Sequence, residues 1–131
     1  MVARGLAVLV AIIVAGWFGL SARQAHDINA AEGILANVSN PNPGQARHVT
    51  ALLRSAATLN PDLEVDLLRG DLAAGEGERE RASQIFGSVA RHEPLNLEAW
   101  YDLANVTTDH HSLSLALHRI AVLAPDVAKQ K

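Results

Sequence analysis

Histidine is the residue type in this chain best suited to binding a metal ion, because the sequence contains six histidines and no cysteine. Three of them, His110, His111 and His118, lie close together in the sequence. On a helix, His110 and His111 point in different directions and His118 lies two turns beyond His111, so sharing an ion would require a ligand from another element. The lack of cysteine also removes disulfides and thiolate ligands. We therefore expect no metal site.

Catalytic and nucleic-acid-binding residues are not indicated either. The sequence shows no Ser, His and Asp set typical of a nucleophilic triad, no glycine-rich phosphate loop and no isolated pair of carboxylates. The charged run from Glu76 to Arg81 is typical of a helix start, where acidic residues favour the positive end of the helix dipole. Beyond Ala22, ten basic residues stand against fourteen acidic ones, which argues against a nucleic-acid partner. We expect neither an enzyme nor a cofactor.

An uncharged apolar segment runs from Gly5 to Leu20. With its neighbours it is just long enough to cross the roughly 30 Å of bilayer hydrocarbon, which takes about 17 to 25 helical residues. Trp17 and Phe18 lie near its end, where aromatic residues commonly meet the membrane interface. Arg4 favours a cytoplasmic N-terminus, with the rest of the chain outside the cytoplasm. We therefore predict a single-pass transmembrane signal-anchor over residues 1–22.

Two other interpretations of this segment stay open. Gly19 and Ser21 are small residues placed two positions apart before Ala22, as at the cleavage site of a signal peptide. Cleavage between Ser21 and Ala22 would release a secreted or periplasmic protein. The third interpretation is a helix buried in the core.

The remainder of the chain contains one apolar pattern three times. Each copy has five apolar residues at i, i+3, i+4, i+7 and i+8, which is one face of a helix, and a proline twelve residues after the first of them. Because proline cannot continue a helix, each copy predicts a helix that packs and then ends. The copies begin 33 and then 31 residues apart, which indicates an array of similar helical units. We call them the first, second and third apolar stripes: Val49, Leu52, Leu53, Ala56 and Ala57 before Pro61; Ala82, Ile85, Phe86, Val89 and Ala90 before Pro94; and Leu113, Ala116, Leu117, Ile120 and Ala121 before Pro125.

Turn and capping residues divide this part of the chain into helices. Residues 37–44 form a turn cluster, and Pro43 suits the first turn of the helix that carries the first stripe. Asn60 with Pro61, Asn96, and Asp109 are expected to begin three of the later helices. We predict helices over about residues 43–59, 62–74 and 78–92, one capped by Asn96, and one that ends near Leu123, with no strand. The predicted fold is all-α, a transmembrane helix followed by a short helical hairpin array.

This pattern resembles the tetratricopeptide repeat family, in which each unit of about 34 residues is a hairpin of a helix A and a helix B. In the central unit, Gly70 matches the small residue of helix A, while Ala82, Phe86 and Pro94 match helix B and the terminal proline. The following unit matches at Trp100, Leu103, Ala104 and Pro125.

The chain also departs from the family pattern. Asp66 and Arg69 stand where the family has a bulky residue and a leucine, and Leu113 and Leu117 stand where it has an alanine and an aromatic residue. The first unit would take its helix A from the segment between Arg23 and Ala36. The resemblance covers about Gln45 to Val127. The predicted organisation is an anchor at residues 1–22, a helical extension and turn linker at 23–44, a tetratricopeptide-like domain at 45–127 and a tail at 128–131.

The resemblance implies a concave groove that is lined by the A helices and takes a peptide or a helix. The candidate groove residues are Asp66, Arg69, Tyr101, Asp102 and Asn105. Trp100 matches a packing position and is expected in the core. An array of about two and a half units leaves an exposed end, which either the segment from Arg23 to Ala36, a partner protein or a second copy of the chain would cover.

These observations favour a membrane-anchored adaptor or scaffold that mediates protein–protein interaction at the extracytoplasmic face of a membrane. One alternative is an accessory structural subunit of a larger membrane complex. The other is the secreted or periplasmic binding protein that cleavage before Ala22 would produce.

Overall fold

The computed structural model describes residues 2–38, 40–59 and 63–125, except for the side chains of residues 2–14, 16, 18, 20, 58 and 59. This part of the chain forms six helices and no strand, which confirms the all-α prediction. The helices are α1 (Val2–Asn37), α2 (Pro43–Leu59), α3 (Leu63–Gly75), α4 (Arg79–His92), α5 (Leu97–Val106) and α6 (His110–Leu123).

Side-chain caps begin three of these helices. The Asn42 carboxamide oxygen accepts hydrogen bonds from the backbone N–H groups of Gly44 and Gln45, at 2.9 and 3.0 Å, and so caps α2. Asn96 accepts from the N–H of Ala99 at 3.1 Å, and Asp109 accepts from that of Ser112 at 2.8 Å. The predicted caps Asn96 and Asp109 are therefore confirmed, whereas the predicted cap at residues 60 and 61 lies outside the described residues.

The helices pack in chain order around two buried clusters. Each helix contacts the next one, and α1 also contacts α3. Ile28 and Ala31 of α1 are buried with α2 and α3 in the first cluster. The second cluster joins α3 to α6 and contains Phe86 and Trp100. The part of α1 beyond Arg23 therefore covers the N-terminal end of the packed helices, beside α2 and α3.

The first and second apolar stripes pack as predicted. In the first, Val49, Leu53 and Ala56 are buried and the other two members are half-buried. In the second stripe every member except the half-buried Ile85 is buried. Phe86, 1 % exposed, packs so closely on Gly70 that a Cβ atom added to this glycine would lie only 2.7 Å from the ring Cζ. This contact supports the predicted alignment of α3 with α4.

The third stripe packs only in part, and its prediction needs correction. Ala116 and Ile120 are buried, but Leu117 is 54 % exposed and Ala121 is also exposed. The reason is the length of the preceding helix, since α5 has 10 residues where α3 has 13. Ile120 follows Ala104 by 16 residues, the same separation as between Gly70 and Phe86. The buried face of α6 is thus set by α5 and not by the distance to Pro125.

Trp100 lies in the core, as its sequence position predicts. Its side chain is 4 % exposed, and the indole Nε1–H donates a hydrogen bond to the Pro94 carbonyl oxygen at 3.1 Å. The Arg119 guanidinium carbon lies 5.8 Å from the centre of the Trp100 ring, within the range of a cation–π interaction. These contacts join α5 to the turn before it and to α6.

The N-terminal segment belongs to one long helix. The predicted anchor and the predicted helical extension are both parts of α1, which continues from Val2 to Asn37. Most of the side chains between Gly5 and Leu20 lie outside those that the structure describes. Within the described residues, no helix combines the length and the apolar character needed to span a bilayer.

Candidate interaction surface

A hollow of about 440 Å³ lies among α1, α3 and α5. These are the first, third and fifth helices, so alternate helices of the chain form its walls. Its lining combines apolar side chains with three carboxylates and contains no basic residue among the described ones. The lining residues are Glu32, Leu35, Ala36, Val38, Leu68, Asp71, Ala74, Gly75 and Glu98.

The packing of α3 determines which of its residues reach the hollow. One side of α3 buries Leu68 and Leu72 with α1 and α2, and another buries Leu67 with the cluster that includes α4. Two polar sides remain between these buried ones. At about 100° per residue, Asp71 and Arg69 are about 160° apart around the helix. Asp71 therefore faces the hollow while Arg69 lies on the opposite side.

Negative charge is concentrated at this hollow. Burial, with the negative charges of Asp71 and Glu98, raises the pKa of Asp102 from 3.8 to about 6. Burial and the charge of Glu98 also raise the pKa of Asp71. Asp102 lies one turn along α5 from Glu98, so the carboxylates of α3 and α5 repel one another. Adding a positive charge here would relieve that repulsion.

The predicted groove residues Asp66 and Arg69 form an ion pair with each other, with 2.9 Å between the guanidinium Nη1 and the carboxylate Oδ1. Arg69 lines a hollow shared with α2, beside Thr50, and Asp66 lines a hollow shared with α4, beside Gln84. Both lie away from the hollow among α1, α3 and α5. The structure thus brings these two predicted residues together, but on the other polar side of α3.

The three predicted groove residues of α5 have different surroundings. Asp102 is half-buried and lies close enough to Asp71 and Glu98 to be affected by their charges. Tyr101 packs against the second buried cluster, and Asn105 is exposed. The five candidates therefore do not form one surface, and only Asp102 adjoins the acidic hollow.

Asp71 and Glu98 are the functional candidates that the sequence alone did not identify. A signal was present in α3, because Glu64 and Asp71 are seven residues apart and so share a polar side between two apolar ones. No such signal shows that Asp71 and Glu98 line the same hollow, because their proximity depends on how α3 and α5 pack.

The arrangement is suited to holding positive charge beside apolar surface. Among the described residues, no three or more histidine or acidic side chains are placed to hold a metal ion together. Neither a family model, nor a curated protein, nor a solved structure matches this chain. The resemblance to the tetratricopeptide repeat family therefore depends only on the residues of this chain that match the family pattern.

Proposed function

We propose that this chain is a membrane-anchored adaptor whose tetratricopeptide-like helical array binds a protein partner at the extracytoplasmic face of a membrane. The observation that carries the proposal is the hollow formed by α1, α3 and α5. Alternate helices would line the concave side of a stacked hairpin array, where such arrays bind extended partners. The contacts of each helix with the next, and of α1 with α3, support such an array, whereas α3 and α5 have no comparable contact among the described residues.

The anchor in this proposal is the apolar segment from Gly5 to Leu20. Since α1 continues without a break to Asn37, the anchor and the first wall of the hollow are parts of one helix. Glu32 lies twelve residues beyond Leu20, which corresponds to about 18 Å along a helix. A partner held in the hollow would therefore stay at a nearly constant height above the membrane.

The alternative of an accessory subunit is favoured by a different surface. Leu115 and Val122 of α6, which are seven residues apart and so lie on one side of the helix, are 42 % and 60 % exposed. They leave apolar surface at the last end of the packed helices, and a permanently bound neighbour would cover it. In that case α6, and not the hollow, would be the main contact.

Photo-crosslinking from single positions separates these two functions. A photoreactive amino acid would replace Ala36, an exposed residue that lines the hollow, or Val122 on α6. Ala51, exposed on α2, serves as the control position. The adaptor proposal expects a protein adduct from position 36 and none from position 51. Adducts from position 122 alone, with a partner that co-purifies in fixed stoichiometry, would favour the accessory subunit and contradict the adaptor.

A further inference from the structure

We infer that the hollow among α1, α3 and α5 binds a cationic amphipathic segment of the partner protein, one that presents lysine or arginine together with apolar side chains. This inference rests on the proposed function and adds the chemical class of the partner. It follows from three properties of the hollow: its unpaired carboxylates, the helix ends that face it and its apolar lining.

The carboxylates of the hollow have no ion-pair partner within the described part of the chain. Two acidic residues elsewhere do have one, since Asp66 pairs with Arg69 and Glu78 pairs with Arg81 at 2.7 Å, whereas the exposed Glu64 and Glu80 form none with a described residue. Glu32, Asp71 and Glu98 form no such pair with a described residue. The hollow differs from the rest of the surface because three unpaired carboxylates line it together with no basic residue among the described ones, and a cation from outside would balance their charge.

The backbone adds negative charge of its own. The last turns of α1 and α3 reach the hollow through Ala36 and Ala74. The C-terminal end of a helix carries a partial negative charge, which basic residues in the last turn commonly offset. Neither α1 nor α3 has a basic residue there. The ends of these two helices therefore attract a cationic ligand, as the carboxylates do.

The apolar lining determines what else the ligand must carry. Leu35, Val38 and Leu68 form part of the wall beside the acidic groups. A polyamine or a simple cation would leave this apolar surface in contact with water. A protein segment that alternates basic and apolar side chains would cover it and satisfy the charge. The volume of about 440 Å³ falls within the roughly 300 to 1,000 Å³ that is typical of ligand pockets.

The test uses the full-length chain in phosphatidylcholine nanodiscs and two fluorescent peptides of fourteen residues. One peptide consists of leucine and lysine in an amphipathic order, and the other has glutamate in place of lysine. Empty nanodiscs show how much of each peptide the lipid itself binds. Fluorescence anisotropy gives the affinity, and we expect saturable binding of the lysine peptide alone, weakening as salt is added.

Two charge-matched double variants locate the binding. Asp71→Asn with Glu98→Gln removes two charges from the hollow, and Glu80→Gln with Glu93→Gln removes two from exposed positions outside its lining. The double variant of the hollow should bind the lysine peptide about ten-fold more weakly, which is the loss expected from two partly screened ion pairs. The control double variant should lose less than about two-fold in affinity. Circular dichroism verifies that both variants keep their helices.

Three results would overturn the inference. They are equal weakening by the two double variants, equal binding of the glutamate peptide, and a position-36 crosslink whose product is a second copy of this chain. If protein adducts still form at position 36 while the charge variants bind the lysine peptide normally, the adaptor function stands and the cationic partner does not. If position 36 gives no adduct, the adaptor proposal itself fails.

Discussion

Gly70 tests the packing of α3 against α4 because two opposing effects act on its replacement by alanine. In the interior of an ordinary helix, Gly→Ala stabilises by about 1 kcal/mol, since alanine loses less backbone entropy on folding. At Gly70 the added Cβ would lie 2.7 Å from Cζ and 2.9 Å from Cδ1 of the Phe86 ring. That ring is 1 % exposed and enclosed by the second buried cluster, so it has no free space to occupy.

The magnitudes decide the sign of the effect. Overpacking of a core costs about 1 to 3 kcal/mol, and contacts below 3 Å with a confined ring place Gly70→Ala in the upper part of that range. After the gain in helix propensity, the free energy of unfolding should fall by about 1 to 2 kcal/mol. Gly33→Ala is the matched control, because this exposed glycine of α1 has no atom within 4 Å of the added Cβ. It should raise the free energy of unfolding by up to about 1 kcal/mol.

Urea unfolding of the full-length variants in mild detergent, followed by far-UV circular dichroism, measures both changes. Phe86→Leu in the Gly70→Ala background should cost less than in the parent, because the smaller side chain relieves the overlap. If Gly70→Ala stabilises the chain as much as Gly33→Ala does, the close contact of α3 with Phe86 does not exist. The predicted repeat alignment would then be wrong.

Three further changes test the site and the core by the same unfolding measurement. Because folding raises the pKa of Asp102 from 3.8 to about 6, the folded chain holds a proton that the unfolded chain releases, and the free energy of unfolding falls as the pH rises from about 4 to about 6. Above about pH 7 the free energy of unfolding of Asp102→Asn should therefore exceed that of the parent by roughly 1 kcal/mol, after allowance for solvent screening, and below about pH 4 the two should be equal. A difference that does not change with pH would show that the raised pKa of Asp102 is not its cause. Trp100→Ala should lose about 3 to 5 kcal/mol because the buried ring leaves a cavity, while replacement of the exposed Asn105 by alanine should leave stability nearly unchanged, and equal losses would mean that Trp100 is not a core residue. Asn96→Ala should lower the free energy of unfolding by about 1 kcal/mol because the N–H of Ala99 loses its acceptor, whereas Asn96→Ser keeps an acceptor without placing a second carboxylate beside Glu93 and should lower it less; equal effects would show that the cap does not stabilise α5.

Local sequence patterns were sufficient to predict most of the helices. Pro43, Asn96 and Asp109 mark the starts of α2, α5 and α6, because a cap or a proline acts on backbone groups within three residues of itself. The spacing of the first two stripes also identified the buried faces of α2 and α4. These predictions succeeded because each depends on the geometry of a single helix.

The third stripe and the acidic hollow could not be predicted in this way. Leu117 has the same place relative to Pro125 as Phe86 has relative to Pro94, yet it is exposed, because the shorter α5 brings Ile120 into the buried position. Asp71 and Glu98 are 27 residues apart, and no local pattern relates them.

The sequence by itself therefore determined the all-α class, the helix boundaries at the capping residues and the faces of α2 and α4, since these follow from backbone hydrogen bonding and helical periodicity. Only the tertiary structure decided which face of α6 is buried and which carboxylates meet around the hollow. Both depend on distances between helices, which are set by the lengths of neighbouring helices and the fit of residues such as Gly70 and Phe86.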